Sequence, residues 1–281
     1  FRIAINGLEI SGNALVVGDS IILYNGNTSV HTLTLSSTDL SAGFVLLQPD
    51  SNLPEGTNVL TAKAQSNAGT LGPASSALSI VVDTTPQSAP LAPDLIALDD
   101  TGASSSDDVT SVTQPNFLVV LSGLGAVAND QVQLLDGSSQ VIGTAVISSV
   151  DITNSNVRVA PLGTFADGVN VVKVRILDRA GNAGTASPSL SIRISTNIPN
   201  ATTPELQTAS DSGRSSSDRV TQRSTPTFTG TGTSGDTVKL FDGNQLLGTS
   251  LVASGVWSIT VAALADNTYT LRAVVTDTAG N

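Results

Sequence analysis

The chain of 281 residues contains no cysteine and no methionine. Without thiols it has no disulfides and no thiol chemistry, so a secreted form needs another means of stiffening, for which bound metal is the obvious choice. Aromatic residues make up only 3% and there is a single histidine. Basic residues number 12 against 23 acidic ones, giving a formal charge of −11 and a pI near 4.2. The basic residues are scattered, whereas phosphate binding needs a clustered basic surface, which argues against nucleic acid as a partner. No apolar run reaches the roughly 18 residues that span a bilayer, and no signal peptide opens the chain, so no membrane insertion is expected. A strand-like pattern already runs at Phe1, and the chain is read as an excerpt of a longer protein.

What is abundant is Gly (25), Pro (12), Thr, Ser, Val and Leu, the mixture expected of many short strands joined by turns. The acids are almost all Asp, with only Glu9, Glu55 and Glu205 as exceptions. Asp suits turns, and its short carboxylate suits oxygen-ligand calcium loops.

The sequence repeats itself. PDLIALDDTGASSSDDVTSVTQPNF (Pro93 to Phe117) aligns without a gap on PELQTASDSGRSSSDRVTQRSTPTF (Pro204 to Phe228), so that Asp100 and Asp211 stand 111 residues apart. VQLLDG (Val132 to Gly137) answers VKLFDG (Val238 to Gly243) and IILYNG (Ile21 to Gly26), and Gly26 and Gly137 are again 111 apart. DRAGN (Asp178 to Asn182) answers DTAGN (Asp277 to Asn281), with SNAGT (Ser66 to Thr70) as a degenerate version. A period near 111 suits one sandwich of roughly 100 residues and is far longer than a solenoid or propeller unit. Strands alternate within the period: Val172, Val174 and Ile176 oppose Lys173 and Arg175, and Leu271, Ala273 and Val275 oppose Arg272 and Thr276. The turns Asn25–Gly26, Asp136–Gly137 and Asp242–Gly243 are strong hairpin signals and imply antiparallel pairing.

The expected architecture is therefore all-β: tandem immunoglobulin-like antiparallel sandwiches arranged as a rod, with under about 5% helix. Residues 1–85 are expected to form an N-terminally truncated repeat ending in a linker start, 86–198 a complete one, and 199–281 a C-terminally truncated one. The proline-rich segments Asp83 to Pro93 and Ser195 to Pro204 serve as short semi-rigid spacers.

The combination of DxGxSxxD followed by T and PxF, the VxLxDG hairpin, DxAGN and the VDTTP linker (Val82 to Pro86) resembles the bacterial Ig-like repeats of giant type I-secreted, RTX-type surface adhesins. The resemblance covers essentially the whole chain. It implies a non-catalytic extender or stalk segment on a bacterial cell surface, serving adhesion or biofilm formation, with calcium near domain junctions stiffening the string. Its partners would be neighbouring repeats of the same chain, with host or biofilm ligands bound by other domains.

The acidic loops are the only candidates for chemistry. Asp94, Asp99, Asp100, Asp107 and Asp108 fall in a stretch free of Lys and Arg, a concentration of like charge that a cation or solvent must relieve. The candidate calcium ligands are Asp83, Asp99, Asp100, Asp107, Asp108, Asp178, Asp211, Asp218 and Asp277; a solvated turn without metal is the rival reading. The third repeat departs from the pattern with Arg214, Arg219 and Arg223, whose guanidinium groups are candidates to replace the cation. Ser66 and Ser195 stand where carboxylates are found in the other copies. Head-to-tail packing should bring Asp100, Asp107 and Asp108 toward the second linker and the Asp277 loop, and Asp83 toward Asp178.

Catalysis has little support. His31 lies in the alternating stretch VHTLTL, where an exposed strand residue is expected, and a general base needs an oriented partner and a nucleophile. Trp257 is read as core rather than as a glycan platform. No paired Glu, HExxH, phosphate loop or GxSxG is present. Two alternatives to the stalk remain open: a ligand-binding adhesive module that holds a glycan or host protein through loops at one pole, and an accessory domain of a secreted enzyme.

Overall fold

Alternation along each long strand sets the layers. In the strand Gly168–Leu177, Val172, Val174 and Ile176 are fully buried while Lys173 and Arg175 lie at the half-exposed face. The computed structural model describes residues 1–102 and 104–281, and its chain divides into two units, Phe1–Thr85 and Pro86–Asn281.

In the first unit, a sheet built on Gly56–Gln65 pairs that strand with Ser20–Asn25, Leu71–Ala74 and Leu78–Val82, and Thr28–Thr34 adds to Ser20–Asn25. Arg2–Ala4 pairs with Phe44–Leu46 in a separate ladder. Ile21, Leu23, Leu35, Val45, Leu47 and Leu60 fill the space between them.

The second unit holds two sandwiches. In the second repeat, one sheet runs Asp94–Leu95, Phe117–Val120, Asn156–Val159 and the other Val109–Thr110, Leu190–Ile194, Gly168–Leu177, Gln131–Asp136, Val141–Val146. Every pairing is antiparallel except Val109–Thr110 on Leu190–Ile194, which is parallel. Phe117, Val119, Val132, Leu134, Val174, Ile176 and Ile192 are sealed between the sheets. The third repeat reproduces this with Glu205–Leu206, Thr227–Thr231, Val256–Thr260 against Gln245–Leu251, Thr237–Asp242, Leu271–Thr276. Its core is built around Trp257, which is 1% exposed and closely covered by Gly230, where a side chain would collide with the indole.

The hairpin after each central strand carries a bulge at the same place, between Leu23 and Tyr24, Leu134 and Leu135, and Leu240 and Phe241. Helix is confined to 4% of the chain. Helix α1 (Ser37–Ala42) and helix α2 (Ser149–Asn154) both start on capping boxes, in which Ser36 or Ser148 accepts from the N–H of Asp39 or Asp151 and that carboxylate reaches back. Hydrogen bonding to those serines holds the Asp39 and Asp151 carboxyls below the usual range. The third repeat has a tight turn there, with positive φ at Ser254 and Gly255.

His31 is less free than expected of an exposed strand residue. It is half-buried, and its Nδ1 lies 2.7 Å from Asp50 Oδ1.

Candidate metal centre

The DxGxSxxD loop of the second repeat leaves the strand Asp94–Leu95 through a turn in which the N–H groups of Asp99 and Asp100 both donate to Ile96 O. Asp99 is half-buried in this turn. Its Oδ2 accepts from Asn116 N at 2.7 Å and Asn116 Nδ2 at 2.8 Å, and its carbonyl accepts from Thr110 Oγ1. Asp107 closes a small turn by accepting from Val109 N at 3.2 Å. These two carboxylates therefore hold the backbone.

Asp100 is different. It is 5% exposed, its Oδ2 accepts a long 3.4 Å bond from Asp108 N, and its Oδ1 is buried with no partner among the described residues. Burial pushes its carboxyl above the usual range, and the charge of Asp107 adds to this against the backbone N–H of Asp108. Asp108, held at positive φ, is pushed up too, by burial and then by the charges of Asp100, Asp94 and Asp107. A buried carboxylate oxygen without a donor, beside further negative charge, fits a bound cation. Among the described residues, however, no three acidic or imidazole side chains converge as a metal cage. A cation here would draw on Asp100 and Asp108 and take its other oxygens from carbonyls and water, as calcium's six to eight ligands permit.

The matching loop of the third repeat folds the same way. Asp211 accepts from Arg219 N at 3.2 Å and again leaves a buried Oδ1 without a partner, while Asp218 accepts from Val220 N at 3.1 Å. Arg219 occupies the place of Asp108 at the same positive φ. Among the described residues, no guanidinium of Arg214, Arg219 or Arg223 reaches Asp211 or Asp218 within ion-pairing distance. The loop geometry thus does not depend on an acid at the position of Asp108.

The DxAGN motif is a turn whose carboxylate serves its own loop. Asp178 accepts from Asn182 N at 2.8 Å and Asn182 Nδ2 at 2.9 Å. Asp277 accepts from Ala279 N and Asn281 N, each at 2.9 Å, and from Asn281 Nδ2 at 3.0 Å. Burial opposes ionisation of both acids, but these donors outweigh it and hold both carboxyls below the usual range. Asp83, in the first unit, accepts from Thr85 N at 3.2 Å.

Three acids that the motif reading passed over stand beside these turns. Asp19, Asp130 and Asp236 each immediately precede a central strand, and the ladders Ser20↔Gln65, Gln131↔Leu177 and Thr237↔Thr276 set them opposite Ser66, Asp178 and Asp277. Asp19 is satisfied, accepting from Val16 N and Asn67 N at 2.9 Å each. Asp130 keeps the first bond, from Val127 N, but its Oδ1 is buried without a partner among the described residues. Asp236 is pushed up by burial and by the charge of Asp277. Among the described residues the unsatisfied oxygen thus occurs at Asp130, which faces Asp178, and neither at Asp19, which faces Ser66, nor at Asp236, which faces Asp277. The signal was in the sequence: GDSIILYNG, NDQVQLLDG and GDTVKLFDG all carry Asp at the same distance before the hairpin glycine.

The second and third repeats meet through these loops. Thr101 Oγ1 donates to Ala279 O at 2.7 Å, and Gly102, at φ +148, lies so close to the Thr278 carbonyl that no side chain fits. Ser195 Oγ donates to Asp277 Oδ2 at 3.2 Å, and Asn281 Nδ2 donates to Ser195 O at 2.7 Å. The structure brings the Asp100 loop and the Asp277 loop together through a threonine, a serine and backbone, not through facing carboxylates.

No curated protein matches the chain in sequence. Similar solved structures include fibronectin(III)-like modules of Clostridium thermocellum CbhA, at 16% identity over 62% of this chain and 77% of that one, with a TM-score of 0.35. Another is a tetra-tandem repeat in the extending region of a large adhesion protein, at 18% identity over 94% of this chain and 63% of that one, with a TM-score of 0.30. A 1.5-MDa bacterial ice-binding adhesin is similar at 20% identity over 96% and 84%, with a TM-score of 0.31. The family model described as bacterial Ig-like domain matches residues 87–196 and 197–281, and the chain belongs to that family.

Proposed function

We propose that this chain is a non-catalytic extender segment of a large bacterial cell-surface adhesin, and that calcium at the poles of its repeats restrains the hinges between them. The observation that carries the reading is the junction just described. Loops at the ends of the two sandwiches, which in a binding module would present a ligand surface, are used by Thr101, Ser195, Asp277 and Asn281 to hold one repeat to the next. Repeats joined in this way transmit position along a chain, which is the task of a stalk.

Calcium suits the acids that remain. Asp100 with Asp108, Asp130 with Asp178, and Asp236 with Asp277 each combine a buried or charge-burdened carboxylate with a second acid, and bound calcium would supply the missing positive charge. Affinity in the range of roughly 10⁻⁴ to 10⁻³ M, typical of extracellular modules, suits calcium-rich surroundings and leaves the chain pliable during export. Type I secretion and a role in biofilm or host attachment are parts of the same proposal that rest on the sequence resemblance.

The absence of catalysis is likewise proposed. His31, on a strand, meets Asp50, and no further side-chain hydrogen bond joins the pair among the described residues. Among the described residues, no helix is long and apolar enough to cross a membrane.

Small-angle scattering and thermal unfolding with millimolar calcium, and then with chelator, test the proposal. Calcium should increase the maximum dimension and raise the unfolding midpoint. Identical curves in both conditions would remove calcium from the reading.

A further inference from the structure

The sequence holds two Asn–Gly steps, Asn6–Gly7 and Asn25–Gly26, and the fold treats them oppositely. At such a step the backbone nitrogen of the glycine can attack the side-chain amide of the asparagine, because the glycine has no Cβ to hinder the approach. The outcome depends on what else holds those two groups.

At Asn25–Gly26 both are held. Gly26 N donates to Val59 O at 2.9 Å, Asn25 Nδ2 donates to Oδ1 of the buried Asn58 at 2.6 Å, and Asn25 Oδ1 accepts from Val59 N at 3.1 Å. The attack requires these bonds to open.

At Asn6–Gly7 neither is held. The turn Ile5–Leu8 is closed by Leu8 N donating to Ile5 O at 3.2 Å, and Asn6 and Gly7 are exposed at its tip. Among the described residues, Gly7 N and the Asn6 amide have no hydrogen-bond partner. The amide lies over Gly43, the left-handed cap of helix α1, in the place where a side chain on Gly43 would stand. Contact positions the amide there without engaging its polar atoms.

The exposure belongs to the turn itself. The second repeat builds the same turn from Leu121 to Leu124, with Leu124 N donating to Leu121 O and Gly123 at φ +76 matching Gly7 at φ +72. Ser122 and Gly123 are exposed as well. In the third repeat, Thr233 and Ser234 follow the matching bond from Gly232 N to Gly255 O, and they stay exposed although the second repeat is docked at that end. Of the three turns, only that of the first repeat carries asparagine.

We propose that Asn6 is a self-modification site at which the folded chain converts to aspartyl and isoaspartyl forms, while Asn25 is protected. Hydroxide takes the proton of Gly7 N, that nitrogen bonds to Asn6 Cγ, the Cγ–Nδ2 bond breaks, and Nδ2 leaves as ammonia with a proton from water. Water then opens the cyclic imide. Opening at Cγ gives aspartate; opening at the main-chain carbonyl carbon of residue 6 gives isoaspartate, with the chain rerouted through Cβ and Cγ. Either product adds a negative charge, and the second lengthens the turn. The inference is independent of calcium and of any role in a stalk.

Peptide mapping by mass spectrometry of the intact chain, incubated in mildly acidic and mildly alkaline buffer with and without denaturant, tests the proposal. In the folded chain Asn6 should convert at least about tenfold faster than Asn25, whose conversion awaits local opening, and the rate at Asn6 should rise with pH. In denaturant Asn25 should accelerate until the two rates agree within about threefold. Asn6→Ser, which installs the residue of the second repeat, should remove the early acidic species seen by isoelectric focusing. Equal rates in the folded chain, earlier conversion of another asparagine, a rate at Asn6 insensitive to pH, or acidic species that persist in Asn6→Ser would each overturn the proposal. So would a ratio unchanged by denaturant, since the difference would then lie in neighbouring residues and not in the fold.

Discussion

Replacing Asp100 with Asn separates charge from shape. The amide keeps an oxygen for the Asp108 N–H but removes the negative charge from a position 5% exposed, with one carboxylate oxygen unpartnered. With calcium at about 10 mM and a dissociation constant of 10⁻⁴ to 10⁻³ M, one site adds about 1.4 to 2.7 kcal/mol to stability. The unit Pro86–Asn281 is about 200 residues long, so this raises its midpoint by roughly 3 to 10 °C. Asp100→Asn should abolish most of that rise.

In chelator the effect should reverse. The folded carboxyls of Asp100 and Asp108 are pushed above the ordinary value of 3.8, so folding favours their protonated forms. That contribution is fully present below the ordinary value and is lost as pH rises through the folded one. At neutral pH the metal-free wild type therefore carries an uncompensated buried charge, and Asp100→Asn should be at least as stable. The lowered carboxyls of Asp178 and Asp277 act in a separate window, losing their contribution as pH falls below the ordinary value. Differential scanning calorimetry at neutral pH, with and without calcium, makes the comparison. An equal calcium-dependent rise in wild type and Asp100→Asn would refute the assignment of the cation to this loop.

Three other perturbations follow from the geometry. Gly102→Ala forces a methyl group against the Thr278 carbonyl from a backbone conformation that side chains rarely adopt; amide exchange should quicken at Thr101 and Ala279 while both cores keep their protection. Asp19→Asn turns an amide donor toward the N–H of Val16 or Asn67 and should cost about 1 to 3 kcal/mol in denaturant unfolding, whereas Asp130→Asn, whose Oδ1 meets no donor, should cost less in chelator; equal losses would contradict the pairing described. Ser195→Asp replaces a donor to Asp277 with a second carboxylate and should lower the unfolding midpoint in chelator but restore it with calcium; a variant insensitive to calcium would show that this junction cannot hold the ion.

Much of the fold was legible because it rests on local rules. Two-residue alternation placed Val172, Val174 and Ile176 inside, and the Asp136–Gly137 and Asp242–Gly243 turns marked hairpins that the ladders bear out. The short helices carried a signature, Ser36 or Ser148 three residues before an Asp, but at six residues they are too short to show helical periodicity. The parallel Val109–Thr110 pairing left no trace, since two residues joined to a strand about 80 positions away have no local pattern. At the poles, motif reading gave every repeated Asp of the acidic loops the same weight. Hydrogen-bond direction separates them: Asp99, Asp107 and Asp178 face donors of their own turns, whereas Asp100 and Asp130 each have an oxygen that faces none.

That separation explains how copies of one sandwich can differ at their ends without differing in fold. The core is specified by apolar alternation and survives the change from Val157 to Trp257, with Gly230 giving the room that the larger ring needs. The polar ends are specified by backbone turns, which need one side-chain acceptor oxygen each and tolerate Arg219 for Asp108, Ser210 for Asp99 and Ser66 for Asp178. The second oxygen is what varies in its surroundings. In the first repeat Asn67 satisfies that of Asp19, at the junction Asn281 and Ser195 both donate to that of Asp277, and among the described residues nothing satisfies that of Asp100 or Asp130 in the second repeat or of Asp211 in the third. A serine-to-aspartate exchange at position 195 would set a second carboxylate beside Asp277, and on the calcium proposal that joint would then gain from a cation. On this reasoning the stiffness of each joint is set one residue at a time, and Ser195→Asp, by creating calcium dependence at a joint now held by a hydroxyl group, is the substitution that would show it.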